Sequence, residues 1–204
     1  MKAKNPVTIG ILGSACDPPH TEHMEIGEYA KKTLKLDRLI LIPTKHPPHK
    51  DMPEIPAGMR LQMARVVARK RGWGVSDMEM KRRGKSYTAD TIAELKKRYP
   101  RAKLFWIVGS DAIVSMPWKW KFGYDILDHC QFVGAKRRGF SMKQVPQKIL
   151  EKIIVLKRAP SRQVISSTVI RKAIAKKDFK KAKQFLDPEI FRFIIRNRLY
   201  GEPR

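Results

Sequence analysis

With only two cysteines in 204 residues, Cys16 and Cys130, the chain can build neither a disulfide framework nor a four-ligand zinc site. No apolar run approaches the roughly 18 residues that a bilayer span needs, so a membrane is not an expected partner. Gly10 and Gly13 do not complete a G-x-G-x-x-G fingerprint, and no Walker lysine motif occurs. A bound dinucleotide cofactor and P-loop chemistry are therefore not expected. Acidic residues are scarce, 19 against 44 Lys and Arg, and they form no carboxylate cluster that would demand a protein-bound metal. There is no internal repeat, long linker or low-complexity tail. The segment Met1-Lys2-Ala3-Lys4-Asn5-Pro6 has no hydrophobic signal core, and with both thiols reduced the expected compartment is the cytoplasm.

What the chain has in excess is positive charge, +25 overall. Such a number invites a nucleic-acid reading. The charge is spread, however: residues 1–102 hold 21 Lys and Arg against 11 Asp and Glu, and residues 103–204 hold 23 against 8. A solvated basic surface that attracts small anionic substrates is the expectation, with no specific nucleic acid. A content of 42% apolar and 31% charged residues is that of a soluble globular chain with a substantial core.

Apolar runs alternate with helical periodicity along the chain. Strands are expected at Val7–Leu12, Arg38–Ile42, Gly74–Ser76, Lys103–Val108, Gln131–Ala135 and Ile153–Leu156. Helices are expected at Glu22–Leu34, Ala57–Arg71, Ala89–Arg98, Asp111–Met116 and near Tyr124–His129. Thr88 and Ser167 are candidate N-caps, and Pro100 ends the third helix. The pattern predicts an α/β fold, a Rossmann-like open parallel sheet with helices on both faces. From about residue 165 it turns wholly helical. Residues 1–204 are thus read as one domain, with an α/β core to about 160 and a small C-terminal helical lobe at about 165–204. Ligands of such sheets bind outside the carboxyl ends of the strands, near the switch in strand order.

Two stretches suit anion binding. Gly13-Ser14-Ala15-Cys16-Asp17-Pro18-Pro19-His20-Thr21-Glu22-His23 runs from a strand into a helix, placing two histidines at a helix mouth with its N–H groups and positive dipole end. Ile165-Ser166-Ser167-Thr168-Val169-Ile170-Arg171 opens another helix with hydroxyls and sets Arg171 one turn inside. Asp17-Pro18 reads as a turn that fixes the first loop. Three further segments complete the set: Pro47-Pro48-His49-Lys50, Ser86-Tyr87-Thr88-Ala89-Asp90-Thr91, and Gly109-Ser110-Asp111 followed by Met116-Pro117 and a tryptophan.

In that order these five segments resemble the bacterial nicotinate mononucleotide adenylyltransferases, of the nucleotidyltransferase superfamily with the His-x-Gly-His signature. The resemblance runs from about residue 7 to Tyr200. It implies adenylyl transfer from ATP, carried with Mg²⁺, to nicotinate mononucleotide, giving nicotinate adenine dinucleotide and pyrophosphate in NAD biosynthesis. It also implies the sites. ATP would lie on Gly13, Ser14, His20, His23, Ser166, Ser167, Thr168 and Arg171, with His20, His23 and Arg171 carrying the chemistry. The mononucleotide would lie on Ala15, Cys16, His49, Lys50, Thr88, Asp111 and one of two tryptophans. The family's tryptophan stands two residues after the proline matching Pro117. Here Lys119 holds that place between Trp118 and Trp120. Counting back from Ile126-Leu127 favours Trp120; counting forward from Asp111 leaves either.

The residues leave several further points open. The acceptor could be nicotinamide mononucleotide; the matches at Pro47–Lys50 and Ser86–Thr91 speak against phosphopantetheine. A basic nucleic-acid-binding protein on the same fold is the rival from another class. Assembly into a homo-oligomer is open. Asp111 is a ribose ligand or an acidic N-cap, and Arg60 is a further phosphate partner or an exposed side chain. Two departures from the family stand out. Glu22 replaces its glycine, facing either solvent or the site. Ser14, Ala15 and Cys16 replace its usual glycine, hydroxyl residue and phenylalanine.

Overall fold

The computed structural model describes residues 6–48, 51–136, 140–156 and 165–201. Six strands form one sheet: β1 (Thr8–Ser14), β2 (Arg38–Pro43), β3 (Gly74–Val75), β4 (Lys103–Gly109), β5 (Gln131–Ala135) and β6 (Ile153–Leu156). Every pairing is parallel and the order is β3-β2-β1-β4-β5-β6. The order reverses between β1 and β4, so the crevice over their carboxyl ends is the natural ligand site. Each strand lies within two residues of its expected bounds.

The strands read as unbroken apolar runs because both faces are covered. Along β1, Ile9 and Ile11 point to one face and Leu12 to the other; along β2, Ile40 and Ile42 oppose Leu39 and Leu41. On the first face the sheet carries α4 (Thr88–Arg98) and α5 (Ser110–Lys119), with Ile92, Leu95, Ile113 and Met116 buried against Ile11 and Trp106. The second face carries α1 (Thr21–Thr33) and α2 (Ala57–Lys70). There Met24, Ala30, Met63 and Val67 join Leu12, Leu39 and Ile107.

Three helices follow Ile165: α7 (Ser167–Ala175), α8 (Phe179–Lys183) and α9 (Pro188–Arg196). Their apolar residues Ile170, Ile174, Leu186, Ile190 and Ile194 belong to the same hydrophobic cluster as α1 and α2. The backbone N–H of Thr21, at the mouth of α1, donates to the carbonyl of Phe185 at 2.9 Å. Lys70 at the end of α2 pairs with Asp187 at 2.9 Å. The C-terminal helices are therefore fastened to α1 and α2, the helices that follow β1 and β2.

Short elements escaped the periodicity. The four-residue helices α3 (Met78–Lys81) and α6 (Gln147–Leu150), and the 3-10 turn Met142–Gln144, are too brief to show a 3.6-residue repeat. The expected helix near Tyr124–His129 is a 3-10 turn, Gly123–Asp128. Helix α5 runs on to Lys119 with Pro117 inside it, although proline removes one N–H and usually ends a helix. Both N-cap assignments move by one residue. Tyr87 precedes the first residue of α4, and Ser166, not Ser167, caps α7 by accepting from the N–H of Val169 at 3.3 Å. Helix α4 stops at Arg98, two residues before Pro100 as expected.

Candidate active site

A cleft of about 430 Å³ opens over the carboxyl ends of β1 and β4. Of the residues expected there, Gly13, Ser14, Ala15, His23, Thr88, Asp111 and Trp120 line it. Sequence reasoning missed Glu79, Lys119, Lys121 and Phe140, which line it too. Nothing in their local pattern marks them. Gly13 leaves room that another residue would fill, because a Cβ there would sit 3.3 Å from the indole of Trp106.

At the mouth of α1 the rings of His20 and His23 lie 3.9 Å apart, centroid to centroid, tilted by 33°. His23 lines the cleft and its Nε2 is 3.5 Å from the hydroxyl of Ser14. That hydroxyl also accepts from the N–H of Cys16 at 3.2 Å, which curls the loop back towards β1. His20 stands behind His23, 3% exposed. Glu22 is buried at 5% and lines the cleft. A solvent-facing Glu22 is thereby ruled out: the residue belongs to the wall of the cleft.

The second anion stretch meets the first. Ser167 donates its hydroxyl to the carbonyl of Pro18 at 3.0 Å, and Arg171 donates to the carbonyl of Asp17 at 2.9 Å. Ser166, Ser167, Thr168 and Arg171 are not part of the cleft lining. Arg171 is also bonded through Nε to the carboxylate of Glu54.

Asp17 is the junction of this corner. Its Oδ1 accepts from the phenol of Tyr200 at 2.9 Å and its Oδ2 from the N–H of Glu54 at 2.9 Å. Burial, reinforced by the charge of Asp17, pushes the Tyr200 phenol far above its ordinary range. It is therefore a neutral donor wherever the protein is folded.

Arg60 corrects both of its expected roles. It is 2% exposed and gives its N–H groups to backbone carbonyls. Nε bonds Ile55 at 3.2 Å, Nη1 bonds Ala15 at 2.7 Å and also Thr44, and Nη2 bonds Lys45 at 3.1 Å. Burial draws its pKa down, with Asp17 pulling the other way. Rather than meeting a phosphate, Arg60 ties the loop after β1 to the loop after β2. A lone arginine inside a helix carries no sign of that in sequence.

At the far end of the cleft, the Ser86–Thr88 turn leads into α4. Ser86 exchanges backbone and side-chain bonds with His46 at 2.8 and 3.3 Å. Beneath it lies Glu79, 4% exposed, accepting from the hydroxyl of Thr91 at 2.8 Å. Burial raises the carboxyl pKa of Glu79, and the hydroxyls of Thr91, Ser86 and Thr44 lower it in part. Asp111 is the second residue of α5, whose N-cap is Gly109, so Asp111 is not an acidic N-cap.

Two expected residues lie elsewhere. Trp118 is 79% exposed and outside the cleft, whereas Trp120 lines it and packs edge-on to Phe132 at 6.1 Å. The geometry favours Trp120 because α5 turns Trp118 outward. Cys16 is 1% exposed within the core, and burial pushes its thiol up to about 12. Its side chain faces away from the cleft lining, so only the backbone there can meet a ligand. His49 and Lys50 lie outside the described residues.

Residues 11–173 match the cytidylyltransferase-like family. A probable nicotinate-nucleotide adenylyltransferase of Oceanobacillus iheyensis is 33% identical over 195 residues, 95% of this chain and 96% of that protein. One from Exiguobacterium sibiricum is 36% identical over 188 residues, 92% and 95% of the two. The solved structure of Plasmodium falciparum nicotinic acid mononucleotide adenylyltransferase complexed with NaAD superimposes with a TM-score of 0.78 at 20% identity, over 95% of this chain and 97% of that one. With near-complete overlap in sequence, and the same fold beneath the two hydrogen-bonded segments around Asp17 and Arg171, the chain belongs to the cytidylyltransferase-like family and, within it, to the nicotinate-nucleotide adenylyltransferases.

Proposed function

We propose that ATP and nicotinate mononucleotide meet over the carboxyl ends of β1 and β4, with the triphosphate in the corner of His20, His23 and Arg171 and the pyridine end between Thr88 and Trp120. The chain transfers the adenylyl group of ATP to the mononucleotide phosphate and releases pyrophosphate. The observation that carries this reading is the joining of two anion motifs far apart in sequence, through Ser167 to Pro18 and Arg171 to Asp17.

The attacking phosphate is already an anion at neutral pH, so no side chain has to remove a proton, and no enzyme nucleophile is needed. The reaction instead requires in-line alignment of two polyanions and fixed positive groups where charge collects on the departing pyrophosphate. His20 and His23, beside the N–H groups of α1, supply such donors on one side. Ser166, Ser167, Thr168 and Arg171 supply them on the other. ATP enters as its magnesium complex, the cation carried on the phosphates and completed mainly by water. Thr88 offers a helix start for the nicotinate carboxylate, Trp120 an aromatic face for the ring, and Asp111 an acceptor for ribose. Gly13, Ser14 and Ala15 line the path between the two substrates, with the backbone of Cys16 beside them.

Purified protein supplied with ATP, Mg²⁺ and nicotinate mononucleotide is expected to release pyrophosphate and form the dinucleotide. Turnover should be lower on nicotinamide mononucleotide and absent on phosphopantetheine. Absence of turnover on all three acceptors would sink the reading.

A further inference from the structure

Tyr200 lies 183 positions from the loop it touches, and nothing in adenylyl transfer calls for a phenol there. Its ring is 7% exposed within the cluster that holds α7 to α1, and its hydroxyl donates to Oδ1 of Asp17 at 2.9 Å. Asp17 is 3% exposed. A carboxylate so buried needs its oxygens filled. Oδ2 takes the N–H of Glu54 at 2.9 Å, which leaves Nη1 of Arg171 at 3.7 Å, beyond a hydrogen bond. Arg171 bonds instead to the main-chain carbonyl of Asp17 and the carboxylate of Glu54. These two bonds use only part of the fork's five N–H donors. The arrangement is selective: a carboxylate lies next to a guanidinium, yet the close two-pronged pair that such groups prefer is not made.

We propose that Tyr200 is a positioning residue for adenylyl transfer: by filling Oδ1 of Asp17, its hydroxyl stops that carboxylate from closing on Arg171 and so keeps the guanidinium for the triphosphate. With the hydroxyl gone, Oδ1 is a buried acceptor seeking a donor, and Arg171, whose Nη1 is already 3.7 Å from Oδ2, is a cation within reach, whereas Arg60 gives its N–H groups to backbone carbonyls. A small rotation of the carboxylate would then offer both oxygens to the guanidinium. ATP would compete with Asp17 for the same fork. The effect is specific to one substrate, because the mononucleotide end of the cleft, around Thr88 and Trp120, takes no part in this network.

The inference rests on the reading that Arg171 binds ATP phosphate, and the test separates the two. Tyr200→Phe removes one oxygen and keeps the ring, so the fold should survive; its thermal unfolding midpoint checks this. Steady-state kinetics should show the KM for ATP raised about tenfold, with kcat and the KM for nicotinate mononucleotide within about twofold of the parent. In an Asp17→Asn background, where position 17 no longer carries a charge that could close on Arg171 and only the Glu54 pair remains, the Tyr200→Phe change should leave the KM for ATP unmoved. Arg171→Ala should raise that KM further still. If Arg171→Ala raises it and Tyr200→Phe does not, the positioning role is overturned while the phosphate reading stands. Equal rises in both substrate constants for Tyr200→Phe would mark a merely structural contact and overturn it too. No change with Arg171→Ala would overturn both.

Discussion

The two ends of the cleft are built differently. At the corner of Asp17 and Arg171 the donors are already engaged with protein acceptors: Arg171 with Glu54 and the Asp17 carbonyl, Ser167 with Pro18, and Tyr200 with the Asp17 carboxylate. At the end proposed for the pyridine, Thr88, Trp120, Trp106 and Asp111 line the cleft. On the proposed reading the first end would bind by exchanging one set of acceptors for another, and the second by filling a preformed pocket. Changes at the corner should therefore act on ATP through competition among charges, and changes at the pocket should act on the mononucleotide through lost contact.

Arg60 joins the two ends, and its loss should have the largest effect. Arg60→Met leaves the carbonyls of Ala15, Thr44, Lys45 and Ile55 without this donor, a destabilisation of about 3–5 kcal/mol, with activity on both substrates reduced together. Urea denaturation measures the first and initial rates the second. A stable variant with normal constants would show that the ends are held by something else.

The tryptophans sharpen the pocket side. Trp120→Ala should raise the KM for nicotinate mononucleotide by about tenfold to a hundredfold, the worth of one aromatic stack, while Trp118→Ala stays within about twofold. Equal losses, or the reverse order, would mean that the ring stacks elsewhere.

Glu22 tests the corner from the opposite sign. Glu22 lines the cleft proposed to take ATP, so Glu22→Gly should lower the KM for ATP by roughly threefold or more without altering that for the mononucleotide. Glu22→Gln should recover only the electrostatic part of the gain. An ATP constant unmoved in both variants would show that neither the charge nor the bulk opposes binding.

The smallest expected effect concerns pH. Burial raises the carboxyl pKa of Glu79 in the folded chain, so the native state holds a proton that the unfolded chain gives up. This group's contribution to stability is complete below the ordinary carboxylate range and is lost as pH rises through the raised value. Glu79→Gln, uncharged throughout, should gain stability relative to the parent between acid and neutral pH. Denaturation at several pH values would reveal it; a gap independent of pH would mean that Glu79 titrates normally.

Much of the fold and part of the site are legible in the sequence. The six strands are readable because burial on both faces leaves unbroken apolar runs, and the long helices because their apolar residues recur at 3.6. The anion stretches are readable because histidines and hydroxyls at helix starts are local features. The four-residue helices α3 and α6 are not, since one turn shows no period. Cys16 illustrates a subtler failure. It sits inside a binding motif, yet the loop turns its thiol into the core at φ 53°, and nothing in the neighbouring residues reports that turn.

The sequence by itself determined the order of strands and helices, the family, and the edge of the sheet where the site lies, because periodicity and turn chemistry act between near neighbours. Tertiary structure alone decided that Trp120 rather than Trp118 faces the cleft, that Glu22 lies in its wall, and that Arg60 spends its charge on carbonyls. It also brought Tyr200 to Asp17. These outcomes depend on where distant backbone groups come to rest, and a donor meeting an acceptor 45 or 183 positions away leaves no periodic trace in the chain.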